Sequence, residues 1–206
     1  HPYVQPLERE LELRSSIEHD SAEDAREVQL YRLGYGQSLN DDWFAEVYLI
    51  GQQEHGSALG LEAFELEALW QLTEQGEYWA DWGALFEFEK QRSSNSMEFS
   101  GALLIEKEWG RWAGTANLYA LYEFGDDIDN EFDTALAAQL RYRFRRSLEP
   151  ALELYKGEDT FGLGPVVTGT VQLGERRKLY WEAGTIFGLT SVTADQTFRL
   201  LLEYEF

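Results

Sequence analysis

The stretch Phe198-Arg199-Leu200-Leu201-Leu202-Glu203-Tyr204-Glu205-Phe206 decides the fold. Phe198, Leu200, Leu202, Tyr204 and Phe206 take alternate positions, and Arg199, Glu203 and Glu205 fall between them. Residues two apart point to the same side of a strand, so this segment has one apolar and one charged face. A helix would scatter the same residues around its circumference.

The same division recurs upstream. Trp112, Gly114, Ala116, Leu118, Ala120, Tyr122 and Phe124 oppose Thr115, Asn117, Tyr119 and Glu123; Phe99, Leu103, Ile105 and Trp109 oppose Glu98, Ser100, Glu106 and Glu108. Alternation predicts twelve strands, at 7–18, 27–38, 43–54, 59–72, 78–90, 97–109, 111–124, 131–144, 148–156, 163–173, 178–189 and 196–206. Ten or fourteen strands stay open, because Pro150 and Pro165 disturb the alternation between 145 and 178. Tight turns at Asn40-Asp41-Asp42, Gly110-Arg111 and Gly174–Arg177 interleave with longer polar loops around 19–26, 125–130 and 190–195.

Composition narrows the class. The 206 residues contain no polar linker and read as a single domain, 1–206. Cysteine is absent, which excludes disulfides, thiolate metal sites and a cysteine nucleophile. The net charge of −21 excludes nucleic acid as a partner, since basic residues such as Arg145 and Arg146 are too scattered to neutralise a polyanion. No run reaches the ~18 apolar residues of a membrane helix. No basic and apolar leader precedes His1, so the sequence reads as a processed form or as one given without its signal.

The ending Phe198–Phe206 resembles the terminal-strand signal of Gram-negative outer-membrane β-barrels, an alternating apolar strand with a final aromatic. The resemblance implies a closed, antiparallel, up-and-down transmembrane β-barrel, monomeric, with both termini in the periplasm. It implies that Tyr204 and Phe206 are read by the barrel assembly machinery and that the neighbours are outer-membrane lipids and lipopolysaccharide, with room for a periplasmic or surface protein partner. With that topology Trp43, Trp70, Trp79, Trp82, Trp109, Trp112 and Trp181 all lie at or near periplasmic strand ends. Indole has an apolar body and one N–H donor and suits the membrane boundary. Phe86, Phe88, Phe99, Phe124, Phe132 and Phe198 would supply the outer girdle. The competing fold is a soluble sandwich or lipocalin-like barrel with the apolar stripe turned inward. A closed twelve-stranded barrel is too wide for side chains to fill with such an interior.

With the apolar face on lipid, the lumen receives Glu10, Glu12, Arg14, Glu46, Glu67, Asp81 and Glu87 from the first half of the chain. The second half adds Glu106, Glu123, Arg141, Arg143, Glu182, Arg199 and Glu203. Arg9 and Lys107 fall on the lipid face near strand ends, where long side chains reach water. An acid-rich lumen concentrates cations and repels anions. The leading expectation is therefore a narrow porin-like conduit that favours cationic or polar solutes. The alternative is a barrel plugged by carboxylate–arginine pairs, serving as a structural or partner-binding module.

A third reading is enzymatic. His55-Gly56-Ser57 places an imidazole two residues from a hydroxyl, with Glu62 on the return strand to orient it. The pattern resembles the His-x-Ser of outer-membrane lipid hydrolases such as the lipid A deacylases and the barrel phospholipase. Ala58 stands where the deacylases have Asn, and Glu62 follows sooner than their acidic partner. Hard oxygen ligands at Asp126, Asp127, Asp129, Asn130, Glu131 and Asp133 suit a divalent cation, but an EF-hand's glycine and terminal glutamate are missing, so a solvated loop is the simpler reading. The three histidines, His1, His19 and His55, are far apart in sequence. Gly162-Leu163-Gly164-Pro165 lacks the lysine and helix of a phosphate loop and reads as the start or kink of a strand. No organic cofactor and no resident metal is expected.

Overall fold

The computed structural model describes residues 1–20, 27–126, 128–175 and 177–206. Its elements are β1 (Arg9–His19), β2 (Glu27–Ser38), β3 (Trp43–Glu54), β4 (Gly60–Gln71), β5 (Asp81–Gln91), β6 (Ser96–Trp109), β7 (Trp112–Gly125), β8 (Glu131–Tyr142), β9 (Glu149–Lys156), β10 (Phe161–Gln172), β11 (Lys178–Gly188) and β12 (Gln196–Glu205). Each strand pairs antiparallel with its sequence neighbours, and β1 pairs with β12 from Glu10↔Glu205 to His19↔Gln196. The sheet is a closed twelve-stranded barrel with both termini at one end.

Closure removes every strand edge, so all ladder hydrogen bonds are made within the sheet. A chain that satisfies its own backbone can stand in hydrocarbon, provided its outer surface is apolar. The outer surface meets that condition: Leu11, Leu33, Val47, Phe64, Leu103, Leu152 and Phe198 are exposed, while Glu12, Glu65, Glu106, Glu153 and Glu182 are buried. Glu106 is 2% exposed and Phe132 is 61% exposed, the inverse of a water-soluble protein. The inward-apolar barrel and the sandwich are thereby excluded. Among the described residues no helix is long and apolar enough to cross a membrane, and the crossing elements are strands.

All seven tryptophans lie at the termini end. Trp43 stacks on Trp70 with ring centroids 5.2 Å apart, and Trp109 and Trp112 face each other across the β6–β7 hairpin. Lys107 places its Nζ 5.5 Å from the ring centroid of Trp79, so this lipid-face charge is held at the aromatic boundary. Phe86 departs from expectation: its ring lies 6.4 Å from that of Trp43, inside the reach of the termini-end girdle rather than at the far rim.

Two other departures have local causes. The longest connection among the described residues is 72–80, at the termini end rather than the far end. It is pinned by the Gly76 N–H to Asp81 Oδ1 (2.6 Å) and the Trp82 N–H to Thr73 Oγ1 (2.9 Å), which delays the start of β5 to Asp81. At the other disturbed place the twelve-strand count holds, and Pro165 sits in β10 where the β10–β11 register omits Gly164 and Pro165. Proline offers no ladder donor there, and a Cβ on Gly164 would collide with the Thr185 carbonyl, so the strands approach too closely for any other residue.

The chain does not enter the sheet at residue 7. The Glu8 N–H bonds the Gln5 carbonyl (3.2 Å), and Pro6 and Leu7 form the corner of a turn with Leu7 at φ 64°. Residues 1–4 then run across the termini-end mouth to the far wall, where Pro2 and Val4 are buried. Alternation misread the turn as strand because Leu7 keeps the apolar phase of Leu11 and Leu13.

Candidate functional site: the lumen

The interior divides into two sectors. In one, Leu85, Ala102 and Leu104 form a buried apolar cluster with Leu69 and Tyr119 packed against it. These positions share the inward face of β4 to β7 with the acids, so this side of the lumen is filled. Beside it, bounded by Leu69 and Tyr119 of that cluster, a cavity of about 840 Å³ is lined from Glu8 and Glu205 at the termini end to Thr160, Thr193 and Thr197 at the far end. One connected space therefore touches both mouths, and its size falls in the range of small-molecule sites.

Charge along this cavity is uneven. Ten glutamates line it against four arginines and one lysine. Each of these bases is fastened to acids in the inward phase of their strands. Arg14 Nε meets Glu12 at 2.6 Å; Arg32 pairs with Glu65 and lies 3.9 Å from Glu67; Lys178 meets Glu205 at 2.5 Å. Arg199 bridges Glu153 (2.5 Å) and Glu182 (2.7 Å), joining β12, β9 and β11. Arg141 reaches Glu149 at 3.4 Å, and Arg143 donates to Glu108 at 2.8 Å. Among the described ion pairs none includes Glu10, Glu46 or Glu203, which line the termini-end third of the cavity. Carboxylate oxygens of Glu10, Glu12 and Glu203 lie within 4.8 Å of one another, as do those of Glu65, Glu67 and Glu87.

Glycines on β2 make this crowding possible. Gly34 and Gly36 face inward, and their missing Cβ positions are filled by the Tyr48 ring and by Phe44 and Glu46 leaning over from β3. Glu46 thus reaches across β2 toward Glu10 on β1, with Tyr48 Oη donating to Glu46 Oε1 at 2.7 Å. The same Tyr48 ring carries the guanidinium carbons of Arg32 at 4.5 Å and Arg14 at 5.7 Å, a cation–π seat that holds both bases against the wall.

Of the acids expected in the lumen, Glu123 accepts from Ser96 Oγ and Glu87 from Ser100 Oγ. Sequence reasoning missed Arg32, Tyr48 and Glu153. Arg32 shares its phase with Leu30, which disguised that face of β2; Glu153 alternates cleanly with Leu152 and Leu154, but the strand is only eight residues long and has Pro150 as its second residue.

The His55–Ser57–Glu62 arrangement does not assemble. His55 and Ser57 sit exposed in the turn beyond β3. Glu62 is the extra residue of a bulge opposite Ile50 and Gly51, and its carboxylate accepts from Ser93 Oγ at 2.7 Å. A bulge of this kind re-aims the side chain. In the acidic far-end loop Asp127 lies outside the described residues, and Asn130 Nδ2 donates to Tyr122 Oη at 3.0 Å.

At the termini-end rim Glu8 faces Glu205, Glu203 and Glu10, with Lys178 as the nearest base; burial first, then its bond to and repulsion by Glu205, push its carboxyl up to about 8. An acid whose pKa is raised in the folded state stabilises that state while protonated. Although the Gln5 N–H donates to the Glu8 carboxylate and favours its ionised form, burial and Glu205 outweigh it, so the seating of Glu8 at this rim is firmest in acid, loosens as pH rises from the ordinary carboxylate range through about 8, and changes no further above it. Amide hydrogen exchange at Leu7 and Glu8, corrected for intrinsic rates, is expected to be faster at pH 9 than at pH 6, and Glu8→Gln to remove the difference. Equal corrected rates in the parent would refute the assignment.

Comparison with known proteins places this geometry. No protein-family model matches the chain, and no curated protein matches it. Solved structures do. The class they define with the outward apolar belt is the outer-membrane β-barrel. Within that class the chain is similar to the KdgM porin (13% identity, 96% of this chain and 99% of that one, TM-score 0.61) and to an outer-membrane channel from Pseudomonas putida F1 (14%, 99% and 96%, 0.64). The translocator domain of autotransporter NalP from Neisseria meningitidis shares the architecture at 9% identity, over 98% of this chain and 88% of that one, with TM-score 0.65. At these identities the likeness is one of fold.

Proposed function

We propose that the barrel is a narrow outer-membrane conduit that passes cations and small polar solutes in preference to anions. The observation that carries this reading is the one cavity touching both mouths, whose ten glutamates outnumber its five bases while most of those bases are already tied to wall carboxylates. Low-dielectric walls focus such a field on whatever occupies the water between them. On the same reading the aromatic rim faces the periplasm and its lipids, and the acidic far-end loops face lipopolysaccharide.

Porin-like neighbours need not share a solute. The KdgM porin is known in complex with oligogalacturonate, an acidic oligosaccharide. The unpaired Glu10, Glu46 and Glu203 would repel such a ligand and attract its charge opposite. Planar-bilayer recording of the refolded protein in asymmetric KCl is expected to give cation-selective steps, blocked by spermine and indifferent to oligogalacturonate. An anion-selective barrel, or a folded one that stays silent in every variant, would overturn the reading and favour the plugged module.

A further inference from the structure

Residues 1–8 are fastened like a strap rather than paired like a strand. After the turn at Gln5–Glu8 the chain leaves β1 and docks on β4 and β5, about 14 to 19 Å away around the wall at the usual strand spacing. Three contacts hold it. The Val4 N–H donates to Gln71 Oε1 at 2.7 Å, and Tyr3 Oη donates to Asp81 Oδ2 at 2.7 Å. Pro2 fills the space beside Gly83, where a Cβ would stand 2.8 Å from the proline Cβ. Burial beside Asp81 pushes the Tyr3 phenol up, so it stays a donor across the physiological range.

Two features make this fastening separable from the barrel. None of the three contacts belongs to the sheet, whose β4–β5 ladder runs from Ala63↔Gln91 to Gln71↔Gly83 without the strap. The hinge itself is strained, since Leu7 holds a left-handed conformation that favours glycine while its side chain is 90% exposed and packs against nothing. The strap also matters to the cavity, because His1, Tyr3, Gln5 and Glu8 form part of its lining at the termini-end mouth.

We infer that residues 1–8 are an intrinsic gate: docked on Gln71, Asp81 and Gly83 they narrow the periplasmic mouth, and undocked they widen it. The effect on flow rests on the conduit reading; the docking does not.

The chain has no cysteine, so a single engineered pair reports cleanly. In the full-length protein Pro2→Cys with Gly83→Cys brings two Cβ atoms within disulfide reach once the proline ring is gone. Oxidation is expected to give a quiet, low conductance level, and reduction to restore fluctuations toward a level about twofold higher. Gly83→Phe, which occupies the seat of Pro2, is expected to stay at the higher level while migrating as a heat-modifiable, folded barrel. Independently of conduction, Val4→Cys is expected to react with an impermeant maleimide about fivefold or more faster when Gly83→Phe is added. Equal conductance in all forms of a conducting barrel overturns the gate and leaves the conduit standing. If the parent is silent and Gly83→Phe conducts, the strap is a complete closure. If nothing conducts, the conduit reading fails, and the labelling ratio alone upholds or overturns the docking.

Discussion

Combining Glu10→Gln, Glu46→Gln and Glu203→Gln is expected to remove most of the cation preference, lowering the cation-to-anion permeability ratio about tenfold or more. The reversal potential in a KCl gradient would move toward zero. These three carboxylates line the cavity without an ion-pair partner, so their charge is the part of the lumen field that no base cancels. At ~5 Å through water each attracts a monovalent cation by roughly 0.8 kcal/mol, and less screening inside the barrel enlarges that figure. Glutamine keeps the shape and, at position 46, keeps an acceptor for the Tyr48 hydroxyl. The triple variant is therefore expected to fold at least as well as the parent, because it relieves repulsion among crowded acids. An unchanged permeability ratio in a folded variant would show that selectivity is set elsewhere.

Arg199→Met is expected to destabilise the barrel by about 3 kcal/mol, read as a lower denaturant midpoint for the heat-modifiable form. The guanidinium joins Glu153 and Glu182, which are 4% and 5% exposed and come from β9 and β11. Both acids are further held by Gln139 Nε2, at 2.6 Å and 3.3 Å, and Glu153 by the Tyr155 hydroxyl at 2.8 Å. Removing the base strands two facing carboxylates beside β9, which is the shortest strand and has the least ladder to spare. Adding Glu153→Gln and Glu182→Gln to Arg199→Met is expected to restore most of the loss, since amides can bond each other and Gln139 without net charge. Equal stability of Arg199→Met and the parent would mean that the bridge contributes nothing beyond what lumen water supplies.

The strands were legible because lipid outside and water inside impose opposite demands on successive residues. Phe198 to Glu205 states that demand with scarcely an exception, and the tryptophans mark one boundary by the chemistry of a single side chain. What was hidden depends on pairs distant in sequence. Leu85, Ala102 and Leu104 keep the phase of neighbouring acids, and only the closed barrel shows that they meet and fill one sector. Arg199 with Glu153 spans 46 positions, and no local pattern announces it. The strap was lost because Leu7 continues the apolar phase of β1, while the turn that ends it is visible only in the backbone. His55 and Ser57 offered a spacing without a scaffold, and a bulge at Glu62 sends the third member elsewhere.

The filled sector has a further effect on the open one. On the conduit reading, the side chains of Leu85, Ala102 and Leu104 push the path of a solute off the axis, toward the seam where β1 meets β12. Read from the far mouth, the residues of that seam in the inward phase run from Glu18 and Thr197, through Ser16 with Arg199 and Arg14 with Leu201, to Glu12 with Glu203 and Glu10 with Glu205. At the termini end Glu12 and Glu205 are tied to Arg14 and Lys178, while Glu10 and Glu203 have no base partner among the described ion pairs. On the conduit reading, a cation entering from the termini end meets Glu10 and Glu203 first and one entering from the far end meets them last, so the barrel would have the makings of a diode, in which the same cation meets a different landscape according to the side from which it enters.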